Sequence, residues 1–588
     1  MNQVIDRRAL LRAGAWGAAG LSLTGFFPAW AQSGTPGIAP NLPTLTGDDF
    51  HFRIAHKAFR VGGQTGHAIM INDVLPAPLL RLREGQRFRL HVTNELDEDT
   101  SIHWHGLILP FEMDGVPGIS FPGIPARGTF TYEFPIVQSG TYWYHSHSGL
   151  QEQLGHYGPM VIDPAGADPV AYDREHVIVL SDWSFLHPHR IFTRMKQEGG
   201  FFNRQKETLF GQRDEDLSQE DRLMFAQMRM DPADIADVTE AAFTFLINGH
   251  GPQENWTGLF RPGERVRLRI INAAAQTIFN VRIPGLPMTV VAADGLNVRP
   301  VTTDEFQIGN AETYDVIVQP PEDRAYTFVA ETIDRSGMGR ATLAPRLGMV
   351  APVPPLRERP TLTMKDMGMG MDHGAMGHGG MDHSAMGHGT AGQQGSGAAM
   401  DHSNMDMRDE SKVPFPVGVG VDMIAPNPVD RTGDRPLGLE DVDHRVLVYR
   451  DLVSLAPNPD PRAPTRSIEI HLTGNMERFM WSIDGEKLSE NPEPIRFARN
   501  ERVSVTMVND TMMTHPMHLH GHFFEVVNGH PGNYPLKHTV MVLPGGKLTF
   551  LLTADAPGDW AFHCHLLYHM HAGMMRVVTV RPLDGEAA

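Results

Sequence analysis

The 588-residue sequence predicts an all-β protein built from three copies of one sandwich-like unit. From about residue 45 the chain reads as short alternating apolar and polar segments punctuated by Gly and Pro. Examples are Phe88-Arg89-Leu90-His91-Val92, Val266-Arg267-Leu268-Arg269-Ile270 and Val503-Ser504-Val505-Thr506-Met507. Period-two alternation is what a strand with one buried face requires. One phrase also recurs three times: an Asn or Asp before a turn, an apolar patch, a Gly- or Asn-marked bend, and a strand ending in Asn. It appears as IND…REGQRFRLHVTN (71–94), ING…RPGERVRLRIIN (247–272) and IDG…ARNERVSVTMVN (483–509). Repetition at domain scale means one supersecondary unit used three times.

Bulk composition narrows the function. With 50 basic against 69 acidic side chains the formal charge is −19, which argues against nucleic acid or an anionic membrane as partner, because both need a basic face. Residues 1–31 read as an export signal: Arg7-Arg8 precede an apolar run from Ala13 to Phe27, and Ala29-Trp30-Ala31 offers a small-residue cleavage site. That run is too short to span a bilayer, and no later segment is long enough. A periplasmic protein exported by the twin-arginine route, a monomer without stable membrane insertion, is expected.

The first unit carries two histidine pairs, His103-Trp104-His105-Gly106 and His145-Ser146-His147. Residues two apart on a strand share a face, so each pair presents both imidazoles to one side. In the second unit Asn272-Ala273-Ala274-Ala275 stands where such histidines would be, which makes this unit structural. His187-Pro188-His189 in the same region reads as a solvated loop.

Between about 346 and 440 the composition changes. Residues 364–407 hold ten of the 32 methionines and five of the 30 histidines, and 371–390 is a ten-residue repeat, MDHGAMGHGG then MDHSAMGHGT. Such a segment buries too little apolar area to offset its ordering entropy, so a mobile insertion is expected. Thioethers select Cu(I) and imidazole accepts either copper state. Met364, Met367, Met369, Met371, His373, Met376, His378, Met381, His383, Met386 and His388 are therefore candidates for binding and delivering Cu(I).

The third unit holds His515-Pro516-Met517-His518-Leu519-His520 and His563-Cys564-His565, followed by His569 and Met574. Cys564 is the single cysteine of the chain. One thiolate, two imidazoles and a weak axial sulfur form the ligand inventory of a blue-copper site, and Cys564, His515, His569 and Met574 supply it. If 560–565 is extended, Cys564 faces one way and His563 and His565 the other, so one tripeptide reaches two metal sites. The pairs 103/105, 145/147, 518/520 and 563/565 give eight imidazoles, enough for three coppers with positions open to oxygen.

All four motifs resemble those of the multicopper oxidases, in family order. HWHGLILPFEMDGVPG (103–118), TYWYHSHSGLQEQ (141–153) and NWTGLFRPGERVRLR (255–269) most resemble the bacterial copper-resistance protein A branch. The resemblance implies three cupredoxin domains, at 45–165, 166–345 and 441–588, and four coppers: one type 1, one type 2 and two type 3. It implies that His103 and His518 hold the type 2 ion and that His105, His145, His147, His520, His563 and His565 hold the type 3 pair. It places a carboxylate near the type 2 site, and Asp114 is the expected proton donor. Relatives often carry an acidic residue just after the position of His569. Met570 stands there, leaving His571 as a substitute.

The expected activity is one-electron oxidation of a reduced substrate at the type 1 site, through the edge of His515 or His569 left near the surface, coupled to reduction of O2 to water. Cu(I) is the first substrate expected. A laccase-like oxidase of phenols or amines is a second reading, and a periplasmic copper-sequestering protein a third.

Overall fold

The structure, a computed structural model, describes residues 41–203, 230–369 and 407–583, with isolated positions 222, 223, 225, 226 and 585. The export signal and the repeat carrying Met371, His373, Met376, His378, Met381, His383, Met386 and His388 lie outside the described residues.

Six sheets pair into three sandwiches. The first couples a five-stranded sheet, in the order Thr44–Thr46, Leu79–Arg83, Tyr157–Asp163, Gly140–His145, His103–His105, with a four-stranded one. The second is built of six and five strands, and the third of seven and five. Among the described residues helix is confined to short pieces such as Pro188–Gln197 and Leu567–Ala572. The architecture is thus the all-β, three-sandwich fold the sequence predicts.

The recurring phrase has one structural meaning in all three copies. Asn72, Asn248 and Asp484 take left-handed backbone, with φ of 53°, 52° and 52°. Asn and Asp tolerate that region because a short polar side chain can bond locally. Each side chain accepts the backbone N–H of the preceding strand, at Arg53, Val179 and His471. The strands that end the phrase, Arg87–Asn94, Val266–Asn272 and Arg502–Asn509, each pair parallel on one side and antiparallel on the other. Their terminal amides then bridge the next loop: Asn94 donates to Ile124 O, Asn272 to Ile308 O and Asn509 to Val542 O. This buried amide fixes where the following strand, the histidine-bearing one in copies one and three, begins.

The first sandwich has its own core around Phe88, Trp104 and Tyr132. The second and third share one apolar cluster, which joins Phe279 and Phe328 to Trp481 and Met507.

Two expectations change. Residues 364–369, assigned to the mobile insertion, are packed: Met367 is fully buried in the shared core, with Met364 and Met369 against it. Asp366 is held by Arg431 at 2.7 Å, both buried, and an unpaired charge could not be placed there. His187-Pro188-His189 opens the helix Pro188–Gln197, with His187 as N-cap accepting the His189 N–H. Proline at the first helical position has no N–H to lose, so it favours this start.

Candidate metal centre

The strand Gly558–Cys564 sends Cys564 and its neighbours to opposite sides. Toward one side, Cys564 Sγ lies 3.5 Å from His515 Nδ1 and 3.8 Å from His569 Nδ1, and the two Nδ1 atoms are 3.3 Å apart. The outer nitrogens are already engaged: His515 Nε2 with Thr511 Oγ1 at 2.7 Å, His569 Nε2 with Asp237 Oδ2 at 2.8 Å. With protons spoken for at Nε2, two lone pairs and a sulfur converge on one point, which suits a soft cation. Burial pushes the Cys564 thiol far up, so without a cation the sulfur stays protonated. Met574 is fully buried, and its carbonyl accepts the Cys564 N–H at 3.1 Å.

Both His515 and His569 are fully buried, contrary to the expectation of a surface edge. Trp481 stacks on His569 with centroids 3.8 Å apart. Thr511 lines a cleft of about 830 Å³ whose walls include Met423, Met476, Met512, Asp234, Asp422 and Glu477. Burial pushes the Asp422 carboxyl up to about 6, the Met476 N–H offsetting part of the rise. Above its unfolded pKa of about 4 the unfolded chain has released this proton while the folded one keeps it. Stability therefore falls as pH rises from about 4 to about 6 and stays lower above that. Asp422→Asn should remove this fall and raise stability at pH 7 by about 2 kcal/mol, read from urea midpoints at pH 5 and pH 7.

On the other side of the strand the four histidine pairs meet at the junction of the first and third sandwiches. His103 pairs in register with His145, and His518 with His563. Ring nitrogens of His105, His145 and His565 lie within 4.8 Å of one another, as do those of His147, His520 and His563. His103 and His518 stand between, with centroids 5.8 Å apart. The Nδ1 of His103 donates to Asp114 O, that of His518 to His538 O, that of His520 to Asp114 Oδ2 and that of His563 to Cys564 O, all at 2.7–2.9 Å. Neutral rings so fixed present bare lone pairs at Nε2. Those of His103, His105, His145, His147, His518 and His565 are buried without a partner, and those of His520 and His563 face each other at 3.1 Å. A cation held between them would relieve this arrangement, and the donor set fits copper.

Asp114, 1% exposed, also stands 3.3 Å from His103 Nδ1. Burial pushes its carboxyl up, but His520 and His103 outweigh this and hold it well below the ordinary range. His571 is exposed, its ring edge-on to Phe192 at 4.8 Å. The buried acid that sequence reading missed is Glu152, 2.7 Å from His145 Nδ1. Asp237 and His538 were missed as well. Glu152 lies in the quoted TYWYHSHSGLQEQ stretch, but nothing in its spacing marks it. Asp237 reaches His569 across 332 residues.

The second sandwich does more than fill space. Ala275 O accepts the Leu567 N–H, and Gln276 accepts from Tyr568 N while donating to Asp237. Where the outer copies place histidines, this one fastens the helix that carries His569.

Three sequence families, each described as multicopper oxidase, match residues 54–167, 175–346 and 461–584. The chain is 47% identical, over 94% of its length and 95% of the relative's, to a copper resistance protein A homolog of Pseudomonas syringae pv. tomato.

The chain belongs to the multicopper oxidase family.

This multicopper oxidase is also 46% identical to copper resistance protein A of Escherichia coli, over 95% of the chain and 98% of the relative. In fold it is similar to Fet3p, a multicopper oxidase that functions in iron import, with a TM-score of 0.60, 18% identity and 91% and 90% of the two chains covered. Membership makes the protein an oxidoreductase with copper as its cofactor and oxygen as acceptor. Among the described residues no helix of this oxidase is long and apolar enough to cross a membrane.

Proposed function

We propose that this oxidase oxidises Cu(I) to Cu(II) in the periplasm, after twin-arginine export, as part of copper resistance. Four Cu(I) ions give up one electron each, and one O2 takes the four electrons with four protons to yield two waters. The carrying observation is the cleft whose floor residue, Thr511, bonds His515 Nε2. Its walls combine thioethers, which select Cu(I), with carboxylates that attract the cation and receive the harder Cu(II). The described chain also leaves and re-enters around the Met/His repeat beside this wall: Asn427 N donates to Gly368 O and Ile424 N to Met407 O. Delivery of Cu(I) from the repeat into the cleft follows.

Four coppers, one type 1, one type 2 and two type 3, would supply single-electron acceptance and the reduction of dioxygen. Cys564, His515, His569 and Met574 would hold the first of these, His103 and His518 the second, and the remaining six histidines the pair. Around them the chain supplies geometry. Thr511 and Asp237 orient the two type 1 imidazoles, and Trp481 keeps water off His569. His563-Cys564-His565 ties both centres together through a few backbone bonds. Asp114, ionised at rest, accepts the Nδ1–H of His520 and holds that ring with Nε2 toward the cluster, and it is the carboxylate beside the type 2 histidines through which protons for oxygen reduction would be supplied.

Steady-state kinetics on the copper-loaded protein with Cu(I) and with a bulky phenol test this. Met476→Leu with Met512→Leu should lower kcat/KM for Cu(I) by about tenfold or more, mainly through KM, and leave phenol turnover unchanged. Equal loss on both substrates would favour the laccase-like reading, for which the cleft volume alone leaves room. Removing residues 370–406 should slow Cu(I) oxidation while four coppers per chain remain. A large fall in copper content would favour sequestration.

A further inference from the structure

The loop that follows the strand Val266–Asn272 of the second sandwich carries no histidine, yet its residues touch the surroundings of His569. Its course is fixed by Asp182, a buried carboxylate near the end of the strand Arg174–Trp183. That carboxylate accepts the backbone N–H of Ala275 at 3.0 Å, that of Gln276 at 2.9 Å and the hydroxyl of Thr277 at 2.8 Å. Three consecutive residues are thus held on one buried acid, which satisfies it and fixes where the Gln276 side chain starts.

Gln276 is itself buried and uses both ends of its amide. The oxygen accepts the Tyr568 N–H at 3.2 Å, and the nitrogen donates to Asp237 Oδ2 at 2.6 Å. The same Asp237 oxygen accepts the Nε2–H of His569 at 2.8 Å. One carboxylate oxygen therefore serves two donors. A carboxylate that accepts an imidazole N–H raises the basicity of the opposite ring nitrogen, here the Nδ1 turned toward Cys564 Sγ. A more basic ligand favours the higher charge state of a bound copper and so lowers the potential of the site. The Gln276 amide draws on the same lone-pair density and weakens that pull on His569. At His515 the outer nitrogen meets a neutral hydroxyl, Thr511 Oγ1, so the carboxylate side of the balance lies at His569.

We infer that Gln276 is a positioning residue that tunes the type 1 site: by sharing Asp237 Oδ2 with His569 it holds the potential of that site above the value an unshared carboxylate would set. The inference rests on reading Cys564, His515, His569 and Met574 as a type 1 copper site. A higher potential favours removal of an electron from the reductant. Gln276 lies outside the walls of the cleft, so it adjusts this driving force without touching the substrate. The second sandwich, which holds none of the assigned ligands, takes part in the redox chemistry through one amide.

Redox titration of the blue absorption on the copper-loaded protein reads the type 1 potential, and pulsed EPR reads the remote ring nitrogens of its two imidazoles. Gln276→Met and Gln276→Leu keep a side chain of similar size and remove the amide. Each should lower the potential and shift the coupling of one remote nitrogen while leaving the other as it was. Thr277→Val removes the hydroxyl bonded to Asp182 in the same loop, leaves Asp237 untouched, and should leave the potential where it is. An unchanged or raised potential in both glutamine variants, or an equal fall in Thr277→Val, overturns the proposal while leaving the type 1 site intact. Loss of the blue absorption from both glutamine variants alone makes Gln276 a structural support and overturns the tuning. No blue absorption in the unsubstituted protein overturns the type 1 reading, and the proposal with it.

Discussion

Cys564→Ser should abolish the intense blue absorption and lower oxygen consumption by more than about 100-fold, while the type 2 EPR signal remains. The sulfur is the single thiol of the chain and the one donor shared by His515 Nδ1 and His569 Nδ1 in a triangle of 3.3–3.8 Å. Serine has the same shape, but its oxygen is harder and far less willing to ionise, so the site keeps its fold and loses its soft ligand. Losing even a residue that orients a ligand typically costs 10–100-fold in affinity or activity, and losing the ligand costs more. His563 and His565 stay on the opposite face of the strand, so their ions should be retained. A serine variant that stays blue and still consumes oxygen would sink the assignment of Cys564 to the electron-accepting centre.

Lys537→Met should lower stability by about 3–5 kcal/mol and shift the melting temperature down by several degrees. The Lys537 ammonium is fully buried, 3.1 Å from Asp294 Oδ1 and 3.0 Å from Glu312 Oε1, both also fully buried. The carboxylates are bound in turn. Tyr449 donates to Glu312 Oε1, Gly309 N to Oε2, and the N–H groups of His538 and Thr539 to Asp294 Oδ2. Removing the cation leaves two facing anions with no water to screen them. Burial already pushes the Glu312 carboxyl up, with Lys537 opposing the rise, so in the variant it should bind a proton in the folded state. Such a proton is held more tightly folded than unfolded, and the variant's deficit should therefore grow as pH rises. The double variant Lys537→Met/Glu312→Gln should recover part of the loss, since the uncompensated charge, more than the missing pair, carries the cost. An unchanged melting temperature in the single variant would mean that this triad does not hold the second and third sandwiches together.

Several parts of the centre were legible in the sequence because strand periodicity needs no knowledge of the fold. Two residues apart means one face, so 103/105, 145/147, 518/520 and 563/565 sort themselves, and Cys564 separates from its neighbours. The threefold phrase was legible for a similar reason: a left-handed Asn or Asp and a strand-ending Asn are local requirements of a turn and a loop. Other parts were hidden. Met367 reads as a member of a copper-binding insertion, yet the core takes it, because residues 364–369 pack onto the core shared by the second and third sandwiches before the repeat begins. His515 and His569 look like surface electron ports, yet Trp481 covers one of them and Thr511 and Asp237 stand in front of both.

What the sequence by itself determined is the ligand inventory and its facing, since both follow from side-chain chemistry and a two-residue period. Tertiary structure alone decided which distant residues hold those ligands: Glu152 on His145, Asp114 between His103 and His520, Asp237 on His569, Asp294 beneath His538. Apart from Glu152 on His145, which sit within the first sandwich, these pairs arise where separate sandwiches press together, and an orienting carboxylate has no spacing rule. It is set by which buried nitrogen the packing leaves needing a partner.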